Sequence, residues 1–407
     1  CGLACTHVDD VIFTGFGETF SRALEKMKRS FTWGSWLVNS FTHCGREVSR
    51  DDDGSVRISQ DKYVRNLEEV RSRHRGKNIP LTEEEISEGR SVLGTLGWAA
   101  KQSRPDLTFA VSTGLSELSQ KNRSALRTIN AALKRAHAYN ASLVFPAGLD
   151  IQDCLVLAFS DASFANREDG GSQGGQMVCL ASRGVLQNKR SPVCFLDWNS
   201  SRVKRICWST LAAETQSACG AVEYADYIKV FLMELRKPRF SLLRAGEAMR
   251  DIEGCLVIDA RSLYDFSSRE TGRVPSDRRL AVDIRLLQEY FGTSSWSMRW
   301  VSGSQQLADC LTKADGNPEY LHRVMRDGRY LVVRDPTLEA KVQRLAEEFN
   351  SLAADEIIGD PVAIVGAALP IFLAALTSSE VGRAPACRMA RESERRRRVS
   401  ARWHVRR

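Results

Sequence analysis

Four acidic residues stand out because the residues around them are apolar. Asp161 ends the apolar run "CLVLAFSD", and Asp259 ends the shorter run "CLVID". Glu214 lies within a long helical pattern, and Asp309 lies in "SQQLADCLTK". Most acidic side chains are at protein surfaces. Acids that end buried strands or lie on the core side of a helix are therefore the candidates for chemistry.

Glu214 belongs to an otherwise apolar helical stripe. Residues at spacings of three and four share one helix face; here they are Leu211, Glu214, Ala218, Ala221, Ala225, Ile228, Leu232 and Leu235. An ionised Glu on that face is costly unless it is compensated. There are two structural alternatives to a functional role. An Arg or Lys at the first turn of the helix could pair with Glu214, or the stripe could be rotated so that Glu214 is exposed to solvent. Two strand-end aspartates in register to converge on the same helix favour a functional carboxylate.

Three or four carboxylates gathered at strand ends, with no companion His or Cys, suit hard divalent cations. Magnesium is the first expectation, and Mn²⁺ is an alternative. Two such ions roughly 4 Å apart can activate a water and stabilise the leaving oxygen in phosphodiester cleavage. Close carboxylates also need the metal in order to stay ionised together. The chain has only six His, and no convincing Ser-His-Asp or Cys-His arrangement competes.

A second acidic pair, Asp9 and Asp10, lies near the start of the sequence in "THVDDVIFTG". By itself it is the obvious active-site candidate. Because the sequence begins with Cys1, inside an expected strand, we expect a fragment or a cleavage product.

Composition describes an ordinary globular protein with an unusual end. Residues 381–407 hold ten Arg and two Glu, which equals the whole net charge of +8, and the rest holds 58 − 10 = 48 basic and 50 − 2 = 48 acidic residues. Global charge therefore describes the tail and not the candidate site. Eleven Cys without C-x-x-C spacing, and no secretory signal, predict an intracellular protein of the cytoplasm or nucleus that is not secreted.

The patterning divides the chain into four parts. Residues 1–75 read as strands (including Val11–Thr14, 35–38 and 56–58), a hairpin and a helix over 18–28. Residues 76–148 are helical, and Thr82 and Glu85 have capping-box spacing. Residues 149–335 run three strands, helix, strand, helices, strand and a last helix from Gln305. This order predicts a mixed α+β sheet with flanking helices.

Residues 336–407 contain a helix, an apolar run and the Arg-rich end. The run Val362–Leu376 has 15 residues and an internal Pro370, whereas a spanning helix needs about 20. We expect a docked hairpin or read-through peptide and no membrane partner.

Four ordered segments resemble the ribonuclease H domain of copia-type retrotransposon polyproteins. They are "SDASFANREDGGSQGG", "STLAAETQSACGAVEYADYIKVFLMEL", "CLVIDARSLYDF" and "VSGSQQLADCLTK". The resemblance implies a ribonuclease H-like fold and two magnesium ions held by Asp161, Glu214, Asp259 and Asp309. It further implies hydrolysis of the RNA strand of an RNA–DNA hybrid. Where the family has Asp-Asn-Gln, this chain has Asp259-Ala260-Arg261, which predicts a cation near the acids.

The first half is similar to the end of a copia-type reverse transcriptase. "HVDDVIFTG" resembles its YxDD segment, and "ISQDKYVRNL" and "RSVLGTLGWAAKQSRPDLTFAVSTGLSELS" resemble the segments that follow. The resemblance implies a partial palm over 1–75 and a helical thumb or connection region over 76–148. Asp9 and Asp10 would then be vestigial polymerase ligands, separated from the third acid and the fingers, so DNA synthesis is not expected from this chain.

Three functions follow from these features. The first is a retroelement ribonuclease H attached to an incomplete reverse transcriptase, with the polyprotein's polymerase and integrase parts as possible partners. The second is a catalytically inactive relic or co-opted module that binds nucleic acid. The third is a nuclease for another substrate, such as DNA, on the same carboxylate scaffold.

Overall fold

The computed structural model describes residues 2–333, except 75, 77–78, 140–141, 238, 268–274, 294, 315 and 317. These residues belong to a unit that extends over Cys1–Leu345. The predictions for 336–407 concern a part of the chain outside the described residues. No helix within the described ranges is long and apolar enough to cross a membrane.

Over residues 149–335, the strands and helices follow the order that the sequence predicts. The strands are β1 Gly2–His7, β2 Asp10–Gly15, β3 Ser40–His43, β4 Arg46–Arg50, β5 Val56–Ser59, β6 Leu143–Phe145, β7 Cys154–Ser163, β8 Gln173–Ser182, β9 Ser191–Arg202, β10 Gly254–Ile258, β11 Trp296–Trp300 and β12 Arg329–Tyr330. The helices are α1 Glu18–Ser30, α2 Asp61–Arg65, α3 Glu83–Gln102, α4 Thr108–Ser119, α5 Ser124–Ala138, α6 Thr210–Arg236, α7 Ala245–Asp251, α8 Arg261–Ser267, α9 Arg278–Thr293 and α10 Glu319–Asp327.

Six strands form a mixed sheet in the order β11-β10-β7-β8-β9-β12. Strands β7, β8 and β9 are antiparallel neighbours, while β10 runs parallel to β7 and β11 runs parallel to β10. In the β7–β10 pairing Val257 lies opposite Phe159. Two residues beyond this pair, strand β10 leads to Asp259 and strand β7 contains Asp161. Neighbouring strands are about 4.8 Å apart, so the register brings these carboxylates together.

Strand β7 is buried on both faces, as its continuous apolar run predicts. Leu157 and Phe159 pack in a cluster with residues of α10, whereas Val156 and Ala158 pack in a second cluster with Ala221 of α6. The six-stranded sheet thus has helices on both faces, and α6 crosses it next to β7 and β8.

The first 148 residues form two smaller sheets and a helical layer. Strands β1 and β2 form a hairpin, and β3-β4-β5-β6 form a four-stranded sheet. Because β6 follows the helical segment, the expected palm and connection regions share that sheet. Helices α3, α4 and α5 pack together around Leu93, Leu96 and Ile129. The predicted capping box is confirmed: Thr82 and Glu85 exchange both hydrogen bonds at the start of α3.

Two local predictions are wrong. The predicted strand over 35–38 is irregular, because Trp36 packs against Phe13 and Trp33 with ring centroids 5.0 and 5.5 Å apart. The helix predicted from Gln305 is two short 3-10 turns, Gly303–Gln305 and Asp309–Leu311, and α10 begins only at Glu319. Every residue from 306 to 308, and from 310 to 312, is buried. Burial on all sides leaves no solvent-facing stripe of the kind an amphipathic helix has.

Candidate metal centre

Asp161 lies near the end of β7 and is only 2% exposed. The Thr312 hydroxyl donates a hydrogen bond to its Oδ2. Its main-chain oxygen accepts a hydrogen bond from Ser217 Oγ of α6, at 2.9 Å. Strand, helix and the 3-10 segment therefore fix this residue from three directions.

Glu214 lies on the second turn of α6 and is 6% exposed. The Ser209 side chain caps this helix by accepting from Ala212 N–H. The side chain is not in water, and the nearby cation is Lys313, outside the first turn of α6, so neither structural alternative holds. The carboxylate accepts a hydrogen bond from the main-chain N–H of Ala162, but Glu214 Oε2 has no hydrogen-bond partner within the described residues. A buried carboxylate oxygen without a donor is the kind of group that a cation would satisfy.

Asp259 directly follows β10 and is partly buried. Trp300 Nε1 on the neighbouring strand donates to its main-chain oxygen at 2.9 Å. Gly303 lies beside this carboxylate, since a Cβ at that position would be 3.4 Å from Asp259 Oδ2.

The three carboxylates converge. Asp161, Glu214 and Asp259 each offer an oxygen, and these atoms lie within 4.8 Å of one another. Burial raises the pKa of Asp161 and, with the charges of Asp161 and Asp259, raises the pKa of Glu214 to about 9. Burial and the charge of Asp161 raise the pKa of Asp259 to about 6. The cluster therefore resists full ionisation, and hard oxygen ligands in this arrangement fit a divalent cation.

Asp309, the fourth predicted acid, lies at the rim beside a lysine. Its Oδ1 is 2.5 Å from Lys313 Nζ, which also lies 3.9 Å from Asp161 Oδ2. Burial opposes the charge of Lys313, but Asp161 and Asp309 outweigh it and raise the lysine's pKa. The structure thus brings three of the four acids into mutual contact range and pairs the fourth with a cation.

Thr312 and Lys313 are residues of the site that the sequence reasoning did not single out. Both belong to the quoted segment "SQQLADCLTK", which indicated the position of Asp309 but not the contacts that these two side chains make. Main-chain oxygens on this segment are held from outside: Ser200 Oγ donates to Leu311 O at 2.5 Å, and Asn166 Nδ2 donates to Thr312 O at 2.9 Å.

The remaining predicted residues lie outside the cluster. Arg261 pairs with Asp265 on its own helix, with Nε 3.2 Å from Oδ1. Asp9 and Asp10 are exposed at the β1–β2 hairpin. The carboxylate of Asp10 lies 3.6 Å from His43 Nδ1.

No family model matches this chain, and no curated protein matches it. Solved structures with a similar arrangement include the N-terminal RNase H domain of Rv2228c from Mycobacterium tuberculosis. It is 14% identical, covers 42% of this chain and 96% of its own length, and has a TM-score of 0.26. RNase H1 from Halobacterium salinarum is 19% identical, with coverages of 41% and 98% and a TM-score of 0.25.

A further similarity extends over more of the chain. The foamy viral protease-reverse transcriptase dRH, solved in complex with double-stranded DNA, is 11% identical with a TM-score of 0.43. The similarity covers 73% of this chain and 46% of the viral one. The predicted fold class, a mixed sheet with flanking helices, is confirmed by the strand order and the helices on both of its faces.

Proposed function

We propose that residues 149–335 are a ribonuclease H that hydrolyses the RNA strand of an RNA–DNA hybrid. One observation carries the proposal: oxygens of Asp161, Glu214 and Asp259 lie within 4.8 Å of one another, and the buried Glu214 Oε2 has no donor in the part of the chain that the structure describes. Such a cluster serves metal-assisted phosphodiester hydrolysis and needs no nucleophilic side chain.

Asp161, Glu214 and Asp259 would hold Mg²⁺, with Mn²⁺ as an alternative, and Asp309 would be the fourth ligand of a two-ion site. Bound ions would supply an activated water and stabilise the leaving oxygen. The chain's own part is to hold the carboxylates in place through Ser217, Thr312 and the strand register. Lys313 is close enough to the acids to exchange its carboxylate contacts for a substrate phosphate.

A basic and apolar loop precedes α6 and offers a surface for nucleic acid. Lys204 and Arg205 are exposed there, together with Ile206 and Trp208, which are 82% and 79% exposed. Lysine and arginine contact phosphates without regard to sequence, and an exposed indole can pack on a base or a sugar. The loop leads directly into the helix that carries Glu214.

The first 148 residues would be the remnant of a copia-type reverse transcriptase, a palm fragment (1–75) and a connection region (76–148). Asp9 and Asp10 would be vestigial polymerase ligands. Other polymerase and integrase parts of the polyprotein are the proposed protein partners, in the cytoplasm or nucleus.

An inactive binding module is the second candidate, and the position of Lys313 favours it. The ammonium group lies 2.5 Å from Asp309 and 3.9 Å from Asp161, so it partly neutralises the charge that would attract a metal. Hybrid binding without magnesium, combined with no cleavage at any metal concentration, would support this function.

The test is cleavage of an RNA–DNA hybrid in which each strand carries its own label. With magnesium, we expect the full chain to cut only the RNA strand. Asp161→Asn should lower the rate by about 10³-fold or more, because one ligand and its charge are lost. Glu223→Gln is the matched control, since Glu223 is exposed on the same helix as Glu214. If Asp161→Asn cuts as fast as the parent, the site is misassigned, and cutting of the DNA strand would indicate another nuclease.

A further inference from the structure

A cavity of about 760 Å³ lies between the four-stranded sheet, helix α3 and strand β9. None of the acids of the metal centre lines it. The residues that give the cavity its chemistry are Arg46, Gly94, Gly97, Trp98, Lys101 and Leu196. We propose that this cavity, the α3 groove, binds one nucleotide of a single-stranded nucleic acid. The base would lie against the apolar wall and the phosphate on Arg46 and Lys101.

Two cations in the α3 groove have hydrogen-bond donors to spare. Arg46 donates from Nη1 to Gln102 Oε1 at 3.1 Å, which uses one of its five N–H donors; its Nε is buried and is not counted as available to a ligand. Lys101 donates from Nζ to Trp198 O at 2.9 Å, which leaves two of its three donors for a ligand. The groove also contains one acid, Asp197, whose Oδ1 accepts from Trp198 N–H. Two cations against one acid favour an anionic ligand.

Part of the lining of the α3 groove is apolar and partly exposed. Trp98 is 38% exposed, and its Nε1 donates to Cys44 O at 3.1 Å, which holds the indole in place. Leu196 on β9 is 37% exposed. A fixed aromatic ring next to cations is the combination on which proteins stack bases of single strands.

Helix α3 has a glycine, Gly94, where it lines the groove. Gly94, Gly97, Trp98 and Lys101 follow the spacing of one helix face, and glycine is unfavourable inside a helix. Gly89 has a packing reason, because a Cβ there would lie 3.1 Å from Leu118. A Cβ at Gly94 would meet nothing within 4 Å. The residues that the structure describes give Gly94 no packing role, whereas a ligand approaching the helix would.

Strand β9 connects the α3 groove to the metal centre. Asp161 pairs with Gly175, and Gly175 pairs with Ser200. Leu196 is four residues from Ser200 along β9, roughly 13 Å at about 3.3 Å per residue. A nucleic-acid strand that leaves the metal centre could reach the groove within a few nucleotides. The choice of nucleic acid over an acidic peptide as occupant rests on the proposed function.

The experiment measures binding of a fluorescently labelled uridine oligonucleotide, about ten nucleotides long, to the full chain. A chelator is present, so cleavage does not enter the readout and a protein that cuts no hybrid still gives a valid result. Gly94→Leu projects a side chain into the groove and should weaken binding about tenfold or more. Ser87→Leu is the matched control, because it adds the same side chain to an exposed position two turns earlier on α3, and it should bind like the parent.

Two further variants test the chemistry of the groove. Trp98→Leu should weaken binding several-fold by removing the stacking surface, and Lys101→Met should weaken it and reduce its salt dependence. Thermal unfolding of each variant shows whether it is folded. Parental affinity in Gly94→Leu and Trp98→Leu would overturn the proposal. Competition by a glutamate decapeptide as strong as by unlabelled oligonucleotide would overturn nucleic acid as the occupant.

Discussion

Two regions of this molecule bury carboxylates, and they do so in opposite ways. In the helical region, Glu85 and Asp106 are fully buried, and each faces an arginine. In the candidate metal centre, Asp161 and Glu214 are almost as buried, but their nearest charged neighbours include other acids. The degree of burial is therefore similar in the two regions. The charge of the neighbouring side chains decides whether a buried acid stabilises the fold or is free to bind a ligand.

The helical region compensates its acids completely. Arg104 donates from Nε and Nη2 to both oxygens of Asp106, at 3.0 and 2.9 Å, and His322 Nε2 lies 3.2 Å from Oδ2. Burial alone would raise the pKa of Asp106, but His322 and Arg104 hold it well below its ordinary value. Arg104 also donates to Ala136 O at 3.1 Å. The pair thus joins the start of α4 to the end of α5.

The acid cluster of Asp161, Glu214 and Asp259 is compensated only in part, by Lys313, whose Nζ lies 3.9 Å from Asp161 Oδ2. Glu214 has a pKa raised to about 9 by burial and by two neighbouring aspartates, whereas that of Glu85 is lowered to about 2. Acids whose pKa is raised in this way are found preferentially at functional sites. The contrast between the two regions supports a function for the acid cluster without recourse to any relative.

The largest stability effect is expected in the helical region. Asp106→Asn leaves the Arg104 guanidinium buried without a counter-charge, which should lower the free energy of unfolding by about 3–5 kcal/mol. Asp161→Asn removes one negative charge from a cluster of mutually repelling acids, so it should not lower the free energy of unfolding in the absence of metal. Urea denaturation of both variants in chelator measures the difference. Equal stabilities would show that the two regions do not differ as described.

A smaller effect, of opposite sign, is expected from Glu214. Its pKa is about 9 in the folded protein and 4.5 ordinarily, so between these values the folded state holds a proton that the unfolded state releases. Stability without metal should therefore fall as pH rises from about 4.5 to 9. Glu214→Gln removes the part of this dependence that belongs to Glu214 and leaves that of Asp259, whose pKa is about 6; it should stabilise the metal-free protein by up to about 3 kcal/mol at pH 7.

Urea denaturation in chelator at about pH 5, 7 and 8.5 measures this effect. Glu223→Gln, exposed on the same helix, should keep the parental pH dependence. Magnesium should raise the stability of the parent and not that of Glu214→Gln. A parent whose stability does not change over this pH range would mean that Glu214 is ionised at little cost.

The sequence could predict that Asp161, Glu214 and Asp259 come together, because each lies within a local pattern. Asp161 and Asp259 end apolar runs, and Glu214 interrupts an apolar helical stripe. The 3-10 segment with Thr312 and Lys313 could not be predicted, because its shape depends on distant partners such as Ser200. The ion pair of Arg104 with Asp106 is local, yet its burial depends on α5 and on His322. Such contacts leave no periodic signal.

The smallest expected effect on stability concerns Glu85 and tests how much of its contribution comes from its charge. Its carboxylate accepts from Thr82 N–H at 2.9 Å and Arg73 N–H at 2.8 Å, and its Oε1 lies 3.1 Å from Arg123 Nη1. Burial would raise the pKa of Glu85, but these donors lower it to about 2. Glu85→Gln keeps an oxygen for the cap and loses the ion pair, so it should cost about 1–2 kcal/mol.

Exposure distinguishes this ion pair from an ordinary surface pair on the same helix turn. Glu83 pairs with Lys121 at 2.7 Å, but both side chains are more than half exposed, so Glu83→Gln should change stability by less than about 0.5 kcal/mol. The depressed pKa gives Glu85 a stabilising effect that is complete above about pH 4.5 and is lost as pH falls towards 2. The gap between parent and Glu85→Gln in urea denaturation should narrow over that range. A gap that is constant with pH would assign the loss to the cap, and the buried charge would then contribute nothing.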